Sequence, residues 1–168
     1  TDTVIAVVVA IIFMLLYIRI RFKDLRFGLS SIIALLHDVL VVLAFYAVAR
    51  VSVSNTFVAC MLTIVGYSIN ATIVIFDRIR ENMAGMTHKD DLKEIVNKSI
   101  TQTMSRSIFT SLTTFIMVAV LYILGVTSIR DFALPLMVGI ICGAYSSICL
   151  AGSLWYVFRQ KFVPKKEK

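Results

Sequence analysis

Five long apolar stretches constrain this 168-residue chain more than any other feature of its sequence. A bilayer core about 30 Å thick is crossed by roughly 20 helical residues, because each residue adds about 1.5 Å of rise. Charged residues make up only 16% of the chain, against roughly 25% in soluble domains. The sequence therefore predicts an all-α membrane protein of one domain. Its five transmembrane helices are expected at residues 4–22, 29–49, 56–76, 108–124 and 132–158.

Basic residues are distributed unevenly between the two ends of these spans. Fifteen of the 17 Lys and Arg follow the first, third and fifth spans, and only Arg50 and Arg130 follow the other two. The positive-inside rule then places the N-terminus of the chain outside and the C-terminus in the cytoplasm. The net charge of +7 arises from the same residues, so anionic lipid headgroups are favoured as partners and nucleic acid is not.

The longest polar segment lies between the third and fourth spans. Residues 87–90, Thr-His-Lys-Asp, have the form of a helix-capping box with Asp in place of the usual Glu. Apolar residues then recur at helical spacing, opposite charged ones. This pattern predicts a short amphipathic helix at residues 87–104. The helix would lie along the inner headgroup layer or dock on a cytoplasmic partner.

Asp38 lies near the middle of the second span, where insertion of an Asp costs about 2.5–3.5 kcal/mol, and His37 precedes it. Such a pair suits metal binding, proton relay or intramembrane hydrolysis, but no span contains a second Asp or His. The cysteines (Cys60, Cys142 and Cys149) have neither CxxC spacing nor a nearby His. We therefore expect no bound metal, no cofactor and no enzymatic activity. Asp38 is either a packing anchor or a proton or hydration site.

The end of the third span carries polar residues along one helical face. Gly66, Asn70 and Asp77 recur at intervals of four and seven residues, which places them on one side of the helix. This line indicates a polar or close-packed contact rather than a lipid-facing surface. A charged collar is expected where the span meets the inner membrane surface, formed by Asp77, Arg78, Arg80 and Glu81.

The last two spans supply a cation and a strip of small residues. Arg106 stands at the cytoplasmic mouth of the fourth span. In the fifth span, Gly139, Gly143 and Ser147 follow each other at four-residue spacing, a pattern that lets helices approach closely. Pro135 is expected in the first turn of this helix, where a missing N–H costs least.

Read together, these segments resemble the SecF family, the smaller membrane subunits of the bacterial SecD–SecF complex of protein export. The string Gly-Tyr-Ser-x-Asn…Phe-Asp-Arg-Ile-Arg-Glu-Asn is the most specific part. The resemblance is carried by residues 37–39, 66–82, 105–114 and 129–147. It implies the fold of the resistance-nodulation-division superfamily, in which SecD and SecF each supply six helices. The five spans then correspond to the C-terminal five, and an N-terminal helix and an extracytoplasmic domain are expected before Thr1.

The resemblance also implies a function in the bacterial cytoplasmic membrane. SecF works with SecD, uses the proton-motive force and assists export of a preprotein through SecYEG, with YajC as a further candidate partner. The candidates for a proton path or polar interface are Asp38, Asn70 and Arg106. Where the family commonly has Asn-Asp-Thr, this chain has Asn70-Ala71-Thr72, so the role of that Asp cannot be transferred. The alternatives are a non-coupling scaffold of the translocon and a small-molecule exporter of the same superfamily.

Overall fold

A computed structural model describes residues 25–51, 53, 55–86 and 91–162, together with residues 5, 9, 12, 13, 16, 17, 20 and 21. The secondary-structure elements of the described residues are all helical. These are α1 (Leu25–Ala49), α2 (Asn55–Ala84), α3 (Leu92–Leu124), α4 (Thr127–Tyr145), a π-helical turn (Ser146–Ala151) and α5 (Gly152–Phe162). Within the described residues, four helices are long and apolar enough to cross a membrane, the last of them running from Thr127 to Lys161.

The sequence predicted five spans, and the structure supports four of them. The second to fifth predicted spans correspond to α1, α2, α3 and the α4–α5 rod. The first, at residues 4–22, lies mostly outside the described residues, although the eight described positions in and around it have helical backbone. Helix α1 is followed by Arg50, whose φ of 51° is the left-handed conformation that terminates many helices.

The predicted surface helix at residues 87–104 overlaps the first part of α3, a helix that is long and apolar enough to cross a membrane. Asp91 caps α3 by accepting a hydrogen bond from the Lys93 amide, and the helix then continues to Leu124 without a break. The predicted capping box at 87–90 lies outside the described residues. Val96 and Ser99, on the apolar face of the predicted helix, are buried against protein. The Ser99 Oγ accepts a hydrogen bond from the Asn82 side chain at 2.7 Å. Other helices of the same chain therefore cover part of the face for which headgroups or a cytoplasmic partner were expected.

The last rod begins earlier than its apolar pattern indicated. Because α4 starts at Thr127, Pro135 lies in the helix interior rather than in the first turn, and it is fully buried. The π-helical turn that follows contains two adjacent serines, Ser146 and Ser147, which are both fully buried. Their hydroxyls also bond to the Gly143 carbonyl, at 3.3 and 2.6 Å. Serine bonds to the preceding turn compete with the regular helix ladder, and the wider turn directs both side chains inward.

The buried apolar residues form two clusters at different heights in the bundle. One contains Phe27, stacked on Trp155 with ring centroids 4.7 Å apart, and includes Ala34. The other contains Val42 and residues of α2 and α4. Along α1, Ala34 and Val42 enclose Asp38, so the buried carboxylate lies at the boundary between the two clusters.

Candidate functional site

Asp38 lies at the crossing of three elements and is fully buried. Ser68 of α2 and Ser146 of the π-helical turn both donate hydroxyl hydrogen bonds to its Oδ2, the latter at 2.7 Å. A carboxyl group inside a membrane protein is tolerated when protein groups replace water around it. The two serines supply that replacement on one oxygen and connect α1 to both neighbouring helices.

The other carboxyl oxygen faces sulfur and nitrogen. The Cys142 Sγ donates to Oδ1 at 3.3 Å, and the His37 Nδ1 lies 3.2 Å from the same oxygen. Sγ and Nδ1 are 3.8 Å apart. Cys142 is buried, whereas 37% of the His37 side chain is exposed. The site therefore reaches from the centre of the bundle to its surface through the imidazole.

Cys142 was not predicted to belong to this site, because no histidine lies near it along the chain. The partners are 104 and 105 positions apart, and only the packing of α4 on α1 joins them. The four-residue spacing of Cys142 and Ser146 was the available signal, since it places two polar side chains on one helical face. That face lies against Asp38.

The small-residue strip of the last rod lies against α2. A Cβ added at Gly139 would lie 2.5 Å from side-chain carbons of Ile64, so the two helices approach closely there. At Gly143 the nearest atom, the Ser68 Cβ, would be at an ordinary 3.5 Å. The Ser147 hydroxyl lies 3.2 Å from that of Thr72.

Gly66 does not belong to this contact. It was expected at a close helix packing, but it is exposed, and a Cβ added there would meet no described atom within 4 Å. The reason is the rotation of α2, which directs Ser68 and Thr72 into the bundle and leaves Gly66 and Asn70 outside. The polar line drawn through Gly66, Asn70 and Asp77 therefore faces away from the core.

The three candidates for a proton path separate into two places. Asn70 and Arg106 are both exposed and line a cleft between α2 and α3 with a volume of about 70 Å³, whereas Asp38 is in the core. Ala71 lies in the wall of the same cleft. The remaining lining residues are Tyr67, Val74, Ser107, Thr110 and Ser111, so none of the residues found to line it is acidic.

The charged collar forms ion pairs and hydrogen bonds near the C-terminal end of α2. Arg21 pairs with Asp77 at 2.6 Å, and Arg80 donates to the Arg21 carbonyl. Arg78 pairs with Glu81 at 2.6 Å. The same guanidinium donates to Gln102 of α3 at 2.8 Å, and Asn82 donates to that side chain at 3.0 Å. The four collar residues were predicted from the sequence, whereas the partners Arg21, Asn82 and Gln102 were not.

Comparison with known proteins gives consistent matches along almost the whole chain. The family model described as "Protein export membrane protein SecD/SecF, C-terminal" matches residues 1–161. The protein translocase subunit SecF of Alicyclobacillus acidocaldarius is 51% identical over 162 residues. The subunit SecDF of Bacillus subtilis is 42% identical over 162 residues.

A solved structure agrees with these sequence matches. The crystal structure of SecDF from Thermus thermophilus, described as a translocon-associated membrane protein, superposes with a TM-score of 0.90 at 44% identity, covering 95% of this chain and 22% of that one. The chain spans 52% of the Alicyclobacillus SecF and 22% of the Bacillus SecDF. It is therefore similar to the membrane-embedded part of considerably longer proteins.

Proposed function

This chain belongs to the SecD/SecF family of protein export membrane proteins, and we propose that it is the membrane region of a SecF subunit of the Sec protein translocase. In this proposal it works with SecD to assist proton-motive-force-dependent export of preproteins across the bacterial cytoplasmic membrane. The observation that carries the proposal is the family match across residues 1–161, together with a fold that superposes on SecDF.

The membrane arrangement in this proposal has five spans. Residues 4–22 are expected to supply the fifth span in addition to the four described helices, and the end of the bundle with the charged collar is expected to face the cytoplasm. This orientation follows from the basic residues concentrated at that end. Anionic headgroups are expected to contact them.

SecD is the principal proposed partner, either fused to this subunit or as a separate chain. The similarity to SecDF proteins of two organisms supports this pairing. SecYEG, YajC and the translocating preprotein are the further partners that the family suggests.

The polar groups are proposed to have different tasks. The cleft beside Ala71 offers the Asn70 amide and the Arg106 guanidinium, and no acidic residue was found to line it. A proton that passes along this surface therefore needs a carboxyl group from SecD, while this chain supplies packing and a polar wall. Asp38 lies apart from the cleft and acts as a buried anchor of the helix crossing, held by Ser68 and Ser146.

One observation favours a second candidate, a scaffold that stabilises the translocon without coupling it to protons. Alanine at position 71 cannot carry a proton, and it occupies the place where the resemblance to the SecF family leads us to expect an acid. The two candidates differ in one testable property. In a coupled complex that contains this chain, a proton gradient accelerates export, whereas with a scaffold it does not.

A chimera tests the export role without requiring the rest of the subunit to be known. The membrane region of a SecF relative would be replaced by this chain in cells depleted of their own SecF, with export of a secreted reporter as the readout. Restored export together with co-purification of SecD supports the proposal. A chimera that reaches the membrane and binds SecD but restores no export would contradict it. The matched variant is the Ala71→Asp chimera. It is expected to export more reporter than the unmodified chimera only if a proton path passes the cleft.

A further inference from the structure

We propose that His37, Asp38 and Cys142 form a binding site for one divalent, thiophilic metal ion of the Zn²⁺ class, with three protein ligands and an open fourth position. The three residues offer one ligand atom each, and these atoms lie within 4.8 Å of one another. This inference goes beyond the role in export and does not depend on it. Cation binding to the isolated protein can be measured in the absence of any translocation.

The distances between the ligand atoms fit a tetrahedral ion. Typical bond lengths of about 2.0–2.1 Å to nitrogen, 2.0–2.2 Å to oxygen and 2.3 Å to sulfur give tetrahedron edges of about 3.4 Å for N–O and 3.6 Å for pairs with sulfur. The observed separations are 3.2 Å from Nδ1 to Oδ1, 3.3 Å from Sγ to Oδ1 and 3.8 Å from Sγ to Nδ1. Each observed separation lies within about 0.3 Å of the corresponding edge.

The carboxyl group of Asp38 is already oriented for this task. Two serine hydroxyls occupy Oδ2, so Oδ1 is the oxygen that points at the thiol and the imidazole. Outer hydrogen bonds of this kind fix a ligand and contribute to metal affinity. The carboxyl group therefore does not have to reorganise when an ion arrives.

The charges of the ligands suit a buried divalent cation. A carboxylate and a thiolate together neutralise two positive charges, and a neutral imidazole adds none. A neutral cluster avoids the cost of an unpaired charge in a medium of low dielectric constant. Because the ligands must be deprotonated, binding releases protons, and the apparent affinity rises with pH.

The histidine is the ligand that reaches the surface of the bundle. Cys142 and Asp38 are buried, but 37% of the His37 side chain is exposed. A bound ion would join α1 to α4 directly, at the level where Ser146 already joins α1 to the π-helical turn.

The test is titration of the purified protein in detergent with Co²⁺, whose absorption reports thiolate ligation and tetrahedral geometry. We expect one equivalent to produce a sulfur-to-cobalt charge-transfer band and intense visible bands, and Zn²⁺ to displace the Co²⁺. Cys142→Ser is expected to abolish the charge-transfer band. Absence of the band in the unmodified protein, or its survival in Cys142→Ser, would overturn the proposal, as would a weak octahedral spectrum.

Matched variants separate ligation from folding. Cys60→Ser alters a buried thiol in the other core cluster and Cys149→Ser an exposed one, and both are expected to keep the spectrum. Loss of the band in either would contradict the assignment. His37→Gln changes a partly exposed residue, so it is expected to fold even if Cys142→Ser does not. Metal binding that is equally tight in His37→Gln would contradict the proposed site. Ser146→Ala should weaken binding by about 10–100-fold while leaving the band.

Discussion

Replacement of Asp38 by Asn or by Leu separates the hydrogen bonds of this residue from its charge. Both substitutions remove the carboxylate, so the cost of burying a charge is absent from the comparison between them. The asparagine variant retains an oxygen that can accept from the two serines, whereas a leucine accepts nothing. The Ser146 hydroxyl has a second acceptor, the Gly143 carbonyl at 3.3 Å. In the leucine variant the Ser68 hydroxyl is left without its observed acceptor.

One unsatisfied buried hydroxyl costs about 1–3 kcal/mol, and interhelical hydrogen bonds in membranes contribute toward the low end, with a mean of about 0.6 kcal/mol. We therefore expect Asp38→Leu to be about 1–2 kcal/mol less stable than Asp38→Asn. The assay is reversible unfolding in mixed detergent micelles, followed by fluorescence of the single tryptophan, which is fully buried.

Adding Ser68→Ala to each background tests the mechanism. In the leucine background it removes the unsatisfied hydroxyl and should restore stability, whereas in the asparagine background it removes an existing bond and should lower stability. Equal stability of the Asn and Leu variants, or the same sign of the Ser68→Ala effect in both, would refute the reasoning.

Three further predictions concern packing and surface charge. Gly139→Ala should lower the stability of the bundle by about 1–3 kcal/mol through overpacking, and Gly139→Leu should prevent the helices from packing together. Gly143→Ala should be tolerated in the same unfolding assay, because its added carbon meets only ordinary contacts. Asp77→Asn should cost less than about 1 kcal/mol, because its pairing with Arg21 is over a third exposed, and high salt should abolish the difference. Phe27→Ala should cost about 3 kcal/mol and shift the tryptophan emission, since the rings stack; an unchanged spectrum would contradict this.

The sequence was sufficient to predict most of the helical architecture. Four spans, the close approach at Gly139 and the charged residues at the end of α2 all follow from local patterns, namely apolar length, four-residue spacing and charge clustering. These patterns depend on a single helix and its immediate surroundings, so they can be read along one stretch of chain.

The features that could not be predicted from the sequence depend on how each helix is oriented about its axis against its neighbours. Gly66 carried the same signal as Gly139 but faces outward. Cys142 joined Asp38 only through tertiary packing. The amphipathic face at Val96 showed that one side is covered, but its pattern is the same whether protein or headgroups cover it. The π-helical turn at Ser146 has no periodic signature, because it changes the phase of the helix by a single residue.

The central claim is that this chain couples to the proton gradient through its partner rather than through its own carboxyl group. It is tested most directly by export of a preprotein into membrane vesicles under an imposed proton-motive force. Asp38→Asn and Arg106→Ala in this chain would be compared with removal of the membrane carboxyl group that we propose SecD supplies. We predict that the SecD change abolishes the acceleration by the gradient, whereas Asp38→Asn retains most of it. Loss of coupling in Asp38→Asn together with intact coupling after the SecD change would contradict the account.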